Sequence, residues 1–584
     1  MNGWGQFALG AVVAMVLAAI MTAAGRRIRR GLGLATPAGV AFTVDLLVGS
    51  WLLGGLVLAL GLAGLLRPPA LAVAVVLVAS LGDWRGWRRA LRPVRLLALA
   101  ALPLVVVAGA PPFFYDAWVY HLGLPWQALQ EGAIVAHPEN VFSAFPPLAQ
   151  LVYAVPLALG VLRAPALIHL IFYVAGAQAV SCLARRLGAV RAVAILAGIA
   201  VIYLPTSTLV PGLPAAEGWA LAGLAAAAVV GLTGRPGRGG AVLAGLVAGI
   251  ALAARLQGLP WCALIVCVVW LRAPRDFAAP LWTAAAVADG AAPWWVKNAL
   301  LLGQPWAPVG WHREGLETLW RDAGSTVFRA GGWWAALPGI YGTLVGMAWL
   351  LAPLLACGLA AYFLRRRVSV LLAVGLATAG AFLWAGTGSL PRFMVPTLAL
   401  GIAAAAAVPR RLAALAVVLF VALGGFGLVR TWNSLVDLGG MSALGDDAVV
   451  YAAPQLTRLV GNPYPGYRAA AALPEDARVL LVCEPRGFLL PRPFIAPSQH
   501  DPSPLREVLE QTADPQGARA ELRRRGFSHL LVNTHEWERL GPTYPVLPWR
   551  GPEGHHRAAA FLRGLGEPVI DEAPVKIWAL EGGG

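Results

Sequence analysis

Residues 111–150 read PPFFYDAWVYHLGLPWQALQEGAIVAHPENVFSAFPPLAQ, and the interpretation of this polar island decides how the rest of the chain is read. It follows an apolar run that ends near residue 110. It gathers Asp116, Tyr120, His121, Glu131, His137 and Glu139, where the segments around it are mostly alanine, leucine, valine and glycine. The chain as a whole is 58% hydrophobic and 13% charged over 584 residues, whereas a soluble domain is about 45–50% apolar and about 25% charged. Repeated apolar runs approach the roughly 20 residues that span a bilayer as a helix. In hydrocarbon every backbone N–H and C=O must be paired internally, so the expected fold class is a polytopic α-helical membrane protein.

The formal net charge of +16 comes from short arginine clusters between apolar runs, which is the signature of topology. No basic patch interleaved with aromatics occurs, so nucleic acid is not an expected partner. The five cysteines are Cys182, Cys262, Cys267, Cys357 and Cys483; four lie in apolar spans, and no CxxC metal pattern is present. The first apolar run, 4–24, has its basic residues after it (Arg26, Arg27, Arg29, Arg30), the reverse of a signal peptide. It reads as an uncleaved span with its N-terminus outside.

Assigning arginine clusters to the cytoplasm orders the remaining runs. The runs 40–66 and 69–82 leave and return, ending at Arg85, Arg88, Arg89, Arg92 and Arg95. The run 96–110 exits and places residues 111–163 outside. The runs 164–183, 192–208 and 218–232 follow, with Arg185, Arg186, Arg191, Arg235 and Arg238 inside. The hairpin 241–254 and 258–271 ends at Arg272 and Arg275, and 277–293 exits to a second external loop, 294–335. The runs 337–363, 369–386, 393–408 and 412–429 complete about fourteen spans. Residues 1–95 read as additional N-terminal transmembrane helices and 96–430 as the core. Residues 431–584 are rich in charge and proline, with no spanning run. There RVLLVC (478–483), SHLLVN (528–533) and VKIWAL (575–580) read as strands, and 504–511 and 516–525 as helices: a small extracytoplasmic α/β domain with no glycine fingerprint for a nucleotide.

Read as a helix from Asp116, the first loop puts Trp118, Leu122, Trp126 and Leu129 on one face, expected towards lipid. Asp116, Tyr120, Gln127 and Glu131 then face a wet cavity. Pro125 would kink it, and Pro146-Pro147 leads into a re-entrant or interfacial segment. Asp116 is either a helix N-cap or a general base, and His121 a ligand, a phosphate partner or a core histidine. Arg255, Lys297, Arg313, Arg321 and Arg392 fall on the external side against the charge trend. A cation at the membrane edge is costly and is a candidate phosphate partner. Glu217 and Asp289 lie at external span ends. Asp45, inside the second span, is expected to pack against another span.

These segments resemble the membrane-embedded GT-C glycosyltransferases, in the bacterial branch of protein O-mannosyltransferases and lipid A aminoarabinose transferases. The stretch DAWVYHLGLPWQALQEGAI (116–134), followed by HPENVFSAFPPLAQLVYA (137–154), is similar to that family's first external loop. AGLVAGIALAARLQG (244–258) is similar to its glycine-rich helix ending in a basic residue. APWWVKNALLLGQPWAP (292–308) and LPRFMVPTLAL (390–400) are similar to two further segments, in the same order. The resemblance covers about residues 95–430. It implies inverting transfer of a sugar from a polyprenyl-phosphate donor to a lipid, glycan or protein acceptor, on the extracytoplasmic face of the inner (plasma) membrane. By it Asp116 is the base; Arg255, Lys297 and Arg392 hold the lipid phosphate; Glu217 takes the place of an acid found after the corresponding span; and Tyr120 and His121 contact substrate. The family's paired acidic motif is reduced here to Asp116 beside Tyr115, which leaves a divalent metal open. The competing readings are a lipid-linked glycan transporter or flippase, a glycan polymerase or ligase, and a non-catalytic membrane receptor.

Overall fold

The computed structural model describes residues 2–37, 39–85, 92–234, 237–311, 313–446, 461–512, 514–546 and 552–580. Arg88, Arg89 and Arg235, assigned above to cytoplasmic clusters, lie outside these residues. Six described helices are long and apolar enough to cross a bilayer: Gly3–Gly31, Ala41–Leu62, Ala164–Leu187, Ala348–Arg365, Val368–Thr387 and Arg410–Asp437. Other apolar runs form helices of 10–17 residues, among them Glu217–Thr233, Arg238–Ala254 and Gly258–Arg272. Two runs expected as single spans are broken. The run 96–110 becomes Arg95–Ala100 and Leu102–Gly109, with Pro103, which has no N–H, in the first turn of the second. The run 337–363 becomes Trp333–Gly346 and Ala348–Arg365, with Pro338 and Pro353 inside them.

Small residues let these helices approach closely, as membrane interiors favour. A Cβ on Gly245 would lie 2.2 Å from the Thr283 carbonyl oxygen, and one on Gly249 2.3 Å from that of Val287. Arg238–Ala254 therefore packs backbone to backbone on Ala278–Gly290. This close crossing is what the glycine-rich pattern of 244–258 encodes.

Hydrogen bonds define two ends of the bundle. At one end Arg26 and Arg29 pair with Asp45 at 3.3 and 2.6 Å, all three buried, and Arg30 pairs with Asp83 at 2.5 Å. Thr43 donates to the Ala175 carbonyl at 2.8 Å, which ties the start of Ala41–Leu62 to the middle of Ala164–Leu187. Nearby, Arg365 donates to the Val408 carbonyl at 3.0 Å, Ser369 to that of Leu232 at 3.0 Å, and Arg272 to that of Gly231 at 3.0 Å. Part of the first arginine cluster is thus consumed in a buried ion triad with Asp45. At the other end the Ile134 amide donates to the Gly61 carbonyl at 2.9 Å and Arg163 to that of Gly109 at 2.7 Å. The loops expected to be external gather there.

Residues 461–580 carry a five-stranded sheet: β1 (Val479–Val482), β2 (Phe494–Ile495), β3 (His529–Asn533), β4 (Ile570–Glu572) and β5 (Val575–Ala579), in the order β2-β1-β3-β5-β4. β1 runs parallel to β2 and β3, while β5 is antiparallel to β3 and β4. Its helices Pro504–Gln511 and Pro515–Arg524 start at Ser503 and Asp514 caps. Leu480, Val482, Leu530 and Val532 face those helices, packing with Leu505, Val508 and Leu522. Val479, Leu481, Leu531, Val575 and Ile577 face the other way, into a core shared with Tyr464, Phe488 and Trp118. Both faces are buried, and for that reason the strands read as continuous apolar runs without alternation.

Candidate active site

The first loop is clasped between the bundle and the sheet. Trp118 is fully buried, donates to the Pro112 carbonyl at 3.0 Å and lies 4.7 Å from the Tyr464 ring. Trp126 donates to the Leu490 carbonyl at 3.0 Å and stands edge-on to Phe488. This corrects the expectation that the tryptophans face lipid: Tyr464, Phe488 and the Leu490 carbonyl of the sheet domain, with the Pro112 carbonyl, supply their partners. Pro125 falls in the first turn of the helix Gly123–Glu131 and does not kink it. Ahead of that helix, residues Ala117–His121 form a single wide π turn.

Asp116, at the entry to this turn, caps nothing. Its Oδ2 accepts from Arg392 Nη2 at 2.6 Å and from the Tyr120 hydroxyl at 3.2 Å. Arg392 comes from the short turn Pro391–Met394, and its Nε lies 3.7 Å from Glu217 Oε1. Glu217 opens the helix Glu217–Thr233, and the same oxygen is 3.1 Å from Arg255 Nη1. Arg255 ends the helix Arg238–Ala254 in extended conformation, so it occupies a helix end rather than mid-span. The Phe393 ring lies 4.5 Å from the Arg255 guanidinium and 5.3 Å from that of Arg392, which holds both planes. Four separate elements thus deliver a Tyr120–Asp116–Arg392–Glu217–Arg255 chain of two carboxylates and two guanidiniums.

This chain borders a cavity of about 210 Å³ into which Asp116, Tyr120, His121, Arg255 and Arg392 face, together with His500 from the sheet domain. Burial pushes His121 down to about 3 and His500 down to about 4, so both imidazoles are neutral at pH 7. Burial, followed by the Asp116 charge, pushes the Tyr120 phenol up, so it stays a hydrogen-bond donor. Among the described residues no group of three or more His, Cys, Asp or Glu side chains is placed to hold a metal ion. Asp116 and Glu217 flank the Arg392 guanidinium, at 2.6 and 3.7 Å.

The other candidates lie elsewhere. Lys297 lines a second cavity of about 70 Å³ with His137; Gln150 borders both cavities. Its ammonium donates to the Ser143 carbonyl and, at 2.6 Å, to Asn298 Oδ1, and burial pushes it down to about 7. Asn298 and Trp294 each donate to the Ala144 carbonyl at 2.9 Å, so this segment pins the first loop. Arg313 pairs with Asp501, whose carboxyl burial pushes up to about 6, and Arg321 pairs with Asp322 at 3.2 Å. Asp289 is exposed. Sequence reasoning named Tyr115 only as the neighbour of Asp116 and did not single out Glu484, Arg486, Asp501 or Glu536. The visible sign of Glu484, Arg486 and Glu536 is charge close after the apolar runs 478–483 and 528–533; nothing local marks Asp501.

No family model and no curated protein matches the sequence. Among solved structures, the crystal structure of ArnT from Cupriavidus metallidurans bound to undecaprenyl phosphate superposes with a TM-score of 0.51 at 18% identity, covering 85% of this chain and 99% of that one. The arabinofuranosyltransferase AftD from Mycobacteria follows with a TM-score of 0.46 at 18% identity, over 84% of this chain and 40% of that one. The Archaeoglobus fulgidus oligosaccharyltransferase, in complex with Zn and sulfate, gives 0.40 at 13%, over 76% and 68%. ArnT matches along nearly its whole length, and the chain therefore shares the fold of that protein.

Proposed function

We propose that the chain is an inverting glycosyltransferase that moves a sugar from a polyprenyl-phosphate donor to an acceptor on the extracytoplasmic face of the plasma membrane. The observation that carries this reading is the convergence of Asp116, Arg392 and Arg255 on one cavity, with Glu217 paired to both arginines, at the loop-bearing end of an apolar helix bundle. A lipid-linked donor needs apolar surface for its tail, cations for its phosphate and a carboxylate at the water side; the cavity offers Leu256, Leu259 and Pro260, the Arg255 and Arg392 guanidiniums, and Asp116. In this reading the shorter helices also cross, giving about fourteen spans. Residues 1–95 are then an addition, 96–430 the core and 431–584 the extracytoplasmic domain.

In the reaction, Asp116 accepts the acceptor hydroxyl proton as its oxygen forms the new bond to the anomeric carbon. The bond from that carbon to the phosphate oxygen breaks on the opposite side, and the electron pair leaves on the phosphate. Arg392 and Arg255 stabilise that charge by charge-assisted hydrogen bonds. Glu217 holds both arginines. Arg392 pairs with the base at 2.6 Å. A donor phosphate competes with Asp116 for that guanidinium. Neutral His121 and the Tyr120 hydroxyl offer hydrogen bonds to sugar hydroxyls. Lys297 acts on the loop from its own cavity.

The test is Asp116→Asn in the full chain, reconstituted with undecaprenyl-phosphate-linked pentoses and hexoses. Transfer falls by about 10²–10⁴-fold, while undecaprenyl phosphate binding is retained. Undiminished transfer removes Asp116 as base.

A further inference from the structure

The sheet domain makes one contact with the catalytic end that neither the fold nor the proposed reaction requires. Tyr115, the residue before Asp116, reaches out of the bundle. Its hydroxyl donates to Glu536 Oε2 at 3.1 Å and accepts from Arg539 Nη2 at 3.1 Å. Its ring lies 5.4 Å from the Arg486 guanidinium and 5.4 Å from that of Arg539. Behind it stands a buried ionic cluster. Arg486 holds Glu484 through two bonds of 2.6 Å, Asn533 Nδ2 donates to Glu484 Oε2 at 2.6 Å, and Asn533 Oδ1 accepts the Glu536 amide at 3.0 Å. Glu484, Arg486, Asn533 and Glu536 are each at most 1% exposed.

Such a cluster is poor value as a source of stability, because burying charges costs about what their pairing returns. Its worth lies in geometry: every polar atom is tied, so the site it presents to Tyr115 is rigid. Three residues on, Trp118 is gripped by Tyr464 and by Arg486, whose guanidinium is 5.9 Å from its ring. Asp116 and Ala117 are thus suspended between two anchors on the sheet domain, and they face Arg392 from there.

Resting on the reading above, we propose that Glu536, Arg539 and Arg486 are positioning residues that aim Asp116 through Tyr115, which makes the terminal domain a working part of the active site. A base held by its neighbours is sensitive to displacements well below 1 Å, and burial together with Glu536 keeps the Tyr115 phenol protonated as a donor.

The experiment uses the full chain with Tyr115→Phe, which keeps the ring and removes both hydroxyl bonds. It is assayed by release of undecaprenyl phosphate from a panel of undecaprenyl-phosphate pentoses and hexoses, with hydrogen exchange measured on the same sample. The expected result is a kcat lowered about tenfold with donor KM changed less than about twofold. Amide exchange rises at 115–121 and stays unchanged at 217–224 and 392–400. A double-mutant cycle with Glu536→Gln is non-additive in kcat, as expected of two residues acting through one contact, and the loss in kcat without a matching change in donor KM is what a merely structural role would not produce. Unchanged exchange at 115–121, or a Tyr115→Phe rate equal to that of the unaltered chain, overturns the proposal. Asp116→Asn run alongside separates the two ideas. If it retains transfer, the catalytic reading has failed; if it abolishes transfer while Tyr115→Phe is silent, only the positioning role has.

Discussion

Asp116 shows how far one residue's meaning depends on what meets it. Its neighbours Ala117-Trp118-Val119 suit a helix cap as well as a base, and the structure shows it making no cap bond and pairing with Arg392, 276 positions away in sequence. That arginine was visible as a charge expected to be external against the topological trend, as was Arg255, so the cationic side of the cavity could be read from charge placement. Tyr115, Glu536 and Asp501 could not, because each draws its role from a partner hundreds of residues distant. His137 provides a residue-scale test. Burial alone would lower its pKa, but Glu131 at 3.5 Å and Glu139 at 3.1 Å outweigh it and raise the imidazole to about 9. A folded pKa above the unfolded 6.5 contributes stability that is fully present below pH 6.5 and is lost as pH rises through about 9. The melting-temperature deficit of His137→Asn is therefore largest at pH 6 and shrinks towards pH 10; a deficit independent of pH contradicts the charged pairing.

At the scale of elements, helix existence was legible and helix continuity was not. The run 96–110 breaks at a proline that was in plain view, and 337–363 breaks at Met347, where nothing local marks the division. The strands at 479–482, 529–533 and 575–579 fall inside the segments chosen from sequence, because burial on both faces leaves an unmistakable apolar run. The tryptophans of the first loop were misdirected for the converse reason: an apolar face does not say whether lipid or protein will cover it. Glycine positions make the packing testable. Gly249→Leu drives a side chain into the Val287 carbonyl, whereas a Cβ at Gly375 meets nothing within 4 Å. Gly249→Leu is expected to cost about 1–3 kcal/mol or more, seen as lost monodisperse yield and a lower melting temperature in detergent. Gly375→Leu behaves as the unaltered chain.

For the whole molecule, the two ends of the bundle differ in kind. One is closed by arginines on helix-end carbonyls, the other by loops and a sheet. If charge asymmetry sets orientation, a membrane-impermeant maleimide labels Glu567→Cys in intact cells and labels Arg366→Cys only after lysis. The opposite pattern inverts the topology and with it the face on which transfer occurs. The span between Tyr115 and Glu536 is 421 positions, and this separation bears on biogenesis. A ribosome threading the chain into the membrane delivers the loop at residue 115 long before the segment that grips it. Until residue 536 has been made, the carboxylate lacks the anchor proposed for it, so a product terminated before that point would be inserted and, on the proposed reading, inert.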